Sequence, residues 1–110
     1  MLIDFNKLKE SVVPGLNGGT KTAKVKVCSD SERAVMYSTI PIGGCIDHHT
    51  HENSDDISYV LSGTGKATCD GEEEILTAGC CHICKKGSAH SIINTGEEEL
   101  ILLTVVVERL

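Results

Sequence analysis

Glycine-centred turn signals recur along this chain, and they leave room only for short extended segments between them. The signals are Asn17-Gly18-Gly19, Gly43-Gly44, Gly63-Thr64-Gly65, Asp70-Gly71, Gly79, Gly87 and Asn94-Thr95-Gly96. Glycine supplies the positive φ that tight hairpins need, and Asp-Gly suits a two-residue turn. The intervals are rich in Val, Ile, Thr and Cys, which fit a pleated, half-buried surface. They predict strands at 23–28, 34–40, 57–61, 66–69, 81–84, 90–93 and 100–107. Residues 2–12 alone carry a helical spacing, with Leu2, Phe5, Leu8 and Val12 on one side, and predict a short helix. Evenly spaced short strands with no helices between them predict an all-β sandwich or barrel.

The 110 residues suffice for one domain. Two segments echo each other, 71–76 (GEEEIL) and 96–101 (GEEELI), and read as two acidic hairpin rims entering apolar strands. Segment 100–107 carries apolar side chains at odd and even positions alike, and Val60 opposes Ile57, Tyr59 and Leu61. A single sheet with one wet face would alternate instead. Both faces of such strands need cover, and a second copy of the chain is the simplest one, so a homodimer is expected.

Charge and cysteine usage narrow the function classes. Sixteen acidic against ten basic side chains give a net charge of −6, and only Phe5, Tyr37 and Tyr59 are aromatic. Such a chain neither neutralises phosphates nor stacks bases, so nucleic acid is not expected as a partner. The longest apolar run, 100–107, is far below the ~18 residues that cross a bilayer, so no membrane role is expected. Residues 1–10 alternate apolar and charged side chains and lack the apolar centre of a signal peptide, which points to the cytoplasm. In that compartment Cys28, Cys45, Cys69, Cys80, Cys81 and Cys84 are expected as reduced thiols, mostly buried.

The histidines carry the chemistry. His49 and His51 are one residue apart, so on a strand they share a face with Cα atoms roughly 6.6 Å apart. Two imidazoles so placed can converge on one ion at about 2.1 Å. Asp56 follows five residues later, and His90 comes just after Gly87-Ser88-Ala89. Three imidazoles and a carboxylate suit Zn, Fe, Ni, Mn or Cu. The competing reading is a pair of exposed loop histidines with no ligand at all.

The surrounding spacing resembles the cupins, small double-stranded β-helix (jelly-roll) barrels. Their first motif reads Gly, five residues, His-x-His, three or four residues, Glu, six residues, Gly. Here it reads Gly43, His49-Thr50-His51, Asp56 and Gly63. The second motif reads Gly79, Lys85-Lys86-Gly87, His90 and Asn94. The likeness covers about residues 34–107 and implies one cupin domain over 1–110, with a short N-terminal segment. It also implies one divalent transition metal held by His49, His51, Asp56 and His90. Two positions depart from the pattern. Asp56 stands where the family has a glutamate, one methylene longer, so it reaches the ion after a strand shift or through a water. Lys85 replaces the proline of the second motif, which loosens the turn before His90 and removes no ligand.

Other polar residues have plainer readings. Regular pairing would turn His48 away from His49, exposed or facing a dimer partner, and would put Cys45 and Asp47 on the His49 face. There the Asp47 carboxylate could orient an imidazole, unless a bulge resets the parity. Cys80, His82 and Cys84 share a face, with Cys81 opposite; the absence of paired CxxC knuckles favours buried thiols over structural zinc. Lys85 and Lys86 read as a solvated hairpin or as an attractor for an anion at the barrel mouth. The resemblance implies a metal-dependent protein acting on a small polar or anionic molecule in the barrel cavity. Decarboxylase-, dioxygenase- and isomerase-like chemistries all remain open, and Glu52 and Asp47 are candidate acid/base groups by proximity alone. The alternative is a non-catalytic small-molecule or metal-binding sensor.

Overall fold

β-branched and aromatic runs between glycine turns do become strands, and their registers align inward-facing side chains into layers. The computed structural model describes residues 1–14 and 21–109; the Asn17-Gly18-Gly19 signal lies outside the described residues. The described residues form ten strands: β1 (Ser11–Pro14), β2 (Thr22–Ser29), β3 (Arg33–Ile40), β4 (Cys45–Thr50), β5 (Ser54–Ser62), β6 (Thr64–Cys69), β7 (Glu72–Thr77), β8 (Cys81–Cys84), β9 (Ala89–Asn94) and β10 (Leu100–Glu108). They form two antiparallel sheets, ordered β1-β2-β3-β10-β5-β8 and β4-β9-β6-β7. The turn spacing predicts an all-β sandwich or barrel, and the two sheets form the jelly roll that the cupin resemblance implies. No helix among the described residues is long and apolar enough to cross a membrane.

The predicted N-terminal helix does not form. Residues Phe5–Lys7 make one 3₁₀ turn, capped by Asp4, whose Oδ1 accepts from the Asn6 amide at 3.0 Å, and β1 follows. Val12 and Val13, β-branched, instead pair with Lys24 and Ala23 of β2. The segment covers part of the larger sheet, with the Phe5 and Tyr37 rings 5.9 Å apart. Three strands escaped the sequence reading, β1, β4 and β7. In β7 the Glu72-Glu73-Glu74 run belongs to the strand itself rather than to a rim.

Turn chemistry is as predicted at Asp70-Gly71. Both residues have positive φ (49° and 84°), the two-residue geometry that joins β6 to β7.

The registers stack the interior from one end to the other. Leu100 opposes Ile40, and Leu102 opposes Val60. With Ala67, Leu76 and Ile92 these residues make the apolar core. One layer on, Thr104 opposes Ser58, which in turn opposes His82 of β8. One layer further sits Asp56, opposite Val106 and Cys84. β5 therefore passes from hydrocarbon at Val60 through a hydroxyl at Ser58 to a carboxyl at Asp56. Asn94 closes the apolar end: it is buried, and its Nδ2 donates towards the carbonyls of Ile40, Pro41 and Glu98 at 3.1, 3.2 and 2.9 Å.

The larger sheet is apolar on its outer face as well. Tyr59, Leu61 and Ile83 are exposed there, beside the half-buried Ile101, Leu103 and Val105.

Candidate metal centre

Three strands and the residue that follows one of them bring the predicted site residues to one point. β4 carries His49, the residue after it is His51, β5 carries Asp56, and β9 carries His90 directly opposite His49 in register. Their side-chain donor atoms all lie within 4.8 Å of one another. The His49 and His51 Nε2 atoms are 2.9 Å apart, and each lies 3.2 Å from His90 Nε2. Asp56 Oδ2 stands 3.1 Å from His51 Nε2 and 3.7 Å from His90 Nε2. The shorter aspartate thus joins the cluster directly.

The spacing fits an ion. Nitrogens on adjacent corners of a six-coordinate ion at about 2.1 Å stand about 3.0 Å apart, and on a tetrahedral ion about 3.4 Å. The observed triangle is nearer the first value. His49 Nδ1 lies 2.8 Å from the Asp47 carbonyl, which can only accept, so Nδ1 carries the proton and Nε2 offers its lone pair to the triangle. Lone pairs converging at 3 Å repel unless a cation or proton lies between them. Donor set, spacing and tautomer agree with a transition metal.

The other ends of these side chains are also held. Ser58 Oγ donates to Asp56 Oδ1 at 3.0 Å, turning Oδ2 towards the imidazoles, and Ser58 Oγ meets Thr104 Oγ1 at 2.9 Å. Ser54 Oγ lies 3.4 Å from His51 Nδ1. His90 Nδ1 lies 2.9 Å from His82 Nε2. Burial, helped by the neighbouring imidazoles, pulls His90 down to about 3, so it is uncharged at neutral pH. Burial likewise lowers His51 and raises Asp56, each partly offset by the opposite charge of the other.

A cavity of about 220 Å³ opens beside the cluster, bounded by His49, Asp56 and His90, by the hydroxyls of Ser38, Ser58 and Thr104, and by Met36, Ile46 and Ile92. No lysine or arginine is among these lining residues. Lys85 and Lys86 are exposed, and neither lines this cavity. Glu52 and the Asp47 side chain are exposed and do not line the cavity.

Two expectations need correction. Cys45 and the Asp47 side chain do not share the His49 face. The β4 register slips between Ile46, opposite Ile92, and His49, opposite His90, so one extra residue resets the parity. Ile46 takes the inward position, and Asp47 orients His49 through its backbone carbonyl, while its carboxylate accepts from the His48 amide at 2.8 Å. The thiols are also less buried than expected. Only Cys84 is buried, where burial pushes its thiol up to about 12; Cys81 is exposed, and the other four are intermediate. No disulfide links the cysteines among the described residues.

One contributor was missed. His82, read as a member of a thiol-lined face, is 2% exposed and reaches His90 and Glu74. Its shared face with Cys80 and Cys84 was legible, but its partners sit eight residues away on either side, on two strands of the opposite sheet.

Comparison with known proteins agrees with this geometry. Residues 36–106 match the cupin domain family. The chain is 34% identical over 113 residues to an oxalate-binding protein of Thermotoga maritima, covering 97% of this chain and 93% of that one. It is 28% identical over 61 residues to the pectin degradation protein KdgF of Dickeya dadantii, 56% of each chain. The crystal structure of a predicted oxalate decarboxylase from Thermotoga maritima superposes with a TM-score of 0.92 at 23% identity, over 99% of this chain and 100% of that one. Motif spacing, jelly-roll topology and these likenesses converge: the chain belongs to the cupin family.

Proposed function

We propose that His49, His51, Asp56 and His90 hold one divalent transition metal, and that this ion captures a small oxygen-donor anion in the adjoining cavity. The observation that carries the reading is the triangle of Nε2 atoms at 2.9–3.2 Å, closed by a carboxylate. The bound ion would supply Lewis acidity and charge for an anion. The cavity itself offers no cationic side chain, so anion binding depends on the metal. Its volume of about 220 Å³ falls below the ~300–1,000 Å³ of sites for drug-sized ligands, which favours a molecule of few heavy atoms. A short dicarboxylate such as oxalate meets both conditions and agrees with the ligand in the name of the 34%-identical relative. Ser38, Ser58 and Thr104 would meet its outer oxygens.

Binding without turnover is the better-supported form of this reading. Among the lining residues, His49, Asp56 and His90 are the only ionisable groups, and all three are committed to the metal. A reaction would need a further proton donor or acceptor within reach. The reading takes residues 1–110 as one cupin domain. The six thiols suit the reducing cytoplasm, and the exposed apolar outer face of β5 and β8 suits pairing with a second copy.

The test is calorimetric titration of oxalate into the metal-free chain and into the chain loaded with Mn²⁺. One oxalate per chain, bound only by the loaded form, is the expected result; equal binding by both forms contradicts the proposal. Incubating the loaded protein with oxalate separates capture from chemistry, since a binding protein leaves the oxalate concentration unchanged.

A further inference from the structure

A chain of three side chains runs from the centre to the surface through the gap between the two sheets. β7 is an edge strand of the smaller sheet and β8 an edge strand of the larger one. Glu74 on β7 shares the inward parity of the buried Leu76, and His82 on β8 faces inward beside Ser58. Glu74 Oε1 stands 2.6 Å from His82 Nδ1, and His82 Nε2 stands 2.9 Å from His90 Nδ1. The His82 side chain is 1% exposed and that of Glu74 is 56% exposed. The His82 and His90 rings are stacked, 20° from parallel.

Hydrogen-bond bookkeeping along this chain has a direction. A carboxylate only accepts, so His82 must donate from Nδ1. In the neutral ring Nε2 then accepts, and the proton between the two histidines belongs to His90 Nδ1. That leaves His90 Nε2 as a lone pair directed at His49, His51 and Asp56. Nothing in the imidazole itself selects this tautomer, and the alternative one would point an N–H into the cluster.

We propose that Glu74 and His82 are positioning residues that lock His90 in the Nδ1–H tautomer and so ready its Nε2 to ligate. The inference deepens the metal reading and rests on it for its purpose, although the tautomer itself does not depend on a bound ion. Neither residue touches the metal position. Both act through His90, in the way that a carboxylate or carbonyl behind a ligating histidine fixes the ring and raises its basicity. Glu73, the neighbouring carboxylate, gives the contrast: it points away, 3.5 Å from Lys66 Nζ.

The test uses the full-length ¹⁵N-labelled chain. Two-bond ¹H–¹⁵N spectra of the metal-free protein at neutral pH report the tautomer of His90, and Co²⁺ titration followed by visible absorbance reports affinity. The wild type is expected to show the Nδ1–H form. Glu74→Ala, at a largely exposed position, is expected to populate the Nε2–H form and to weaken Co²⁺ binding by roughly tenfold or more. Glu73→Ala removes the same charge and is expected to leave both readouts at wild-type values. An Nε2–H His90 in the wild type overturns the proposal, as does a Glu74→Ala chain that matches the wild type in tautomer or in affinity. If the wild-type chain takes up no Co²⁺, the metal reading falls and the tautomer spectra alone decide this proposal.

Discussion

His90 folds into the wall uncharged, and that has a consequence for acid stability. In the metal-free unfolded chain it takes up a proton near its ordinary 6.5, whereas in the folded chain burial delays this to about 3. The unfolded state therefore binds more protons between these values, and stability falls as pH drops through that window. His51, also lowered, acts in the same sense; Asp56, raised above 3.8, acts in the opposite sense and softens the lower part. The urea midpoint of the metal-free protein should decline between pH 7 and pH 5, and a flat profile would contradict the burial argument. Asn94 makes a second prediction at this scale. Its amide faces three main-chain carbonyls, so Asn94→Ala should cost about 2 kcal/mol or more in urea denaturation. The three clustered histidines and Asn94 were legible from their places in the motifs of the family that the chain resembles. Glu74 and His82 were not, because their link to His90 crosses between sheets and leaves no periodic trace in the chain.

At the scale of elements, turns were more readable than strand faces. Asp70-Gly71 adopts the two-residue turn that its composition predicts. Gly63 shows how strict such a position can be. Its φ is 92°, and an added Cβ would lie 2.5 Å from the Glu99 carbonyl oxygen. Gly79 has a similar φ of 94° with open space around it. Gly79→Ala should lose only the strain of a left-handed residue, about 1–3 kcal/mol. Gly63→Ala should lose more, and equal losses in thermal or urea unfolding would show that the contact with Glu99 relaxes freely. β4 marks the limit of reading by parity. One extra residue between Ile46 and His49 exchanged inside for outside, and an alternation count has no means of locating such a slip. The N-terminal segment marks another limit, since its helical spacing yielded to pairing of Val12 and Val13 with β2.

For the whole molecule, the layered interior separates stability from chemistry. Hydrocarbon fills one end of the barrel, and the ionisable cluster with its cavity occupies the other. The two-faced strands were readable from composition, but part of their outer cover is the chain's own N-terminal segment over Tyr37. Tyr59, Leu61 and Ile83 stay exposed, and a second copy of the chain is the cover we propose for them. Light scattering at micromolar concentration should give twice 11.7 kDa for the wild type, and Leu61→Glu should return the mass to 11.7 kDa. A monomeric wild type would contradict that assignment without touching the metal centre. The centre itself is tested most directly by counting metal. Protein prepared without a histidine tag and assayed by plasma mass spectrometry should carry one transition-metal ion per chain, lost in His90→Ala and His49→Ala. A small fraction of an ion per chain, unchanged by either substitution, would contradict the account.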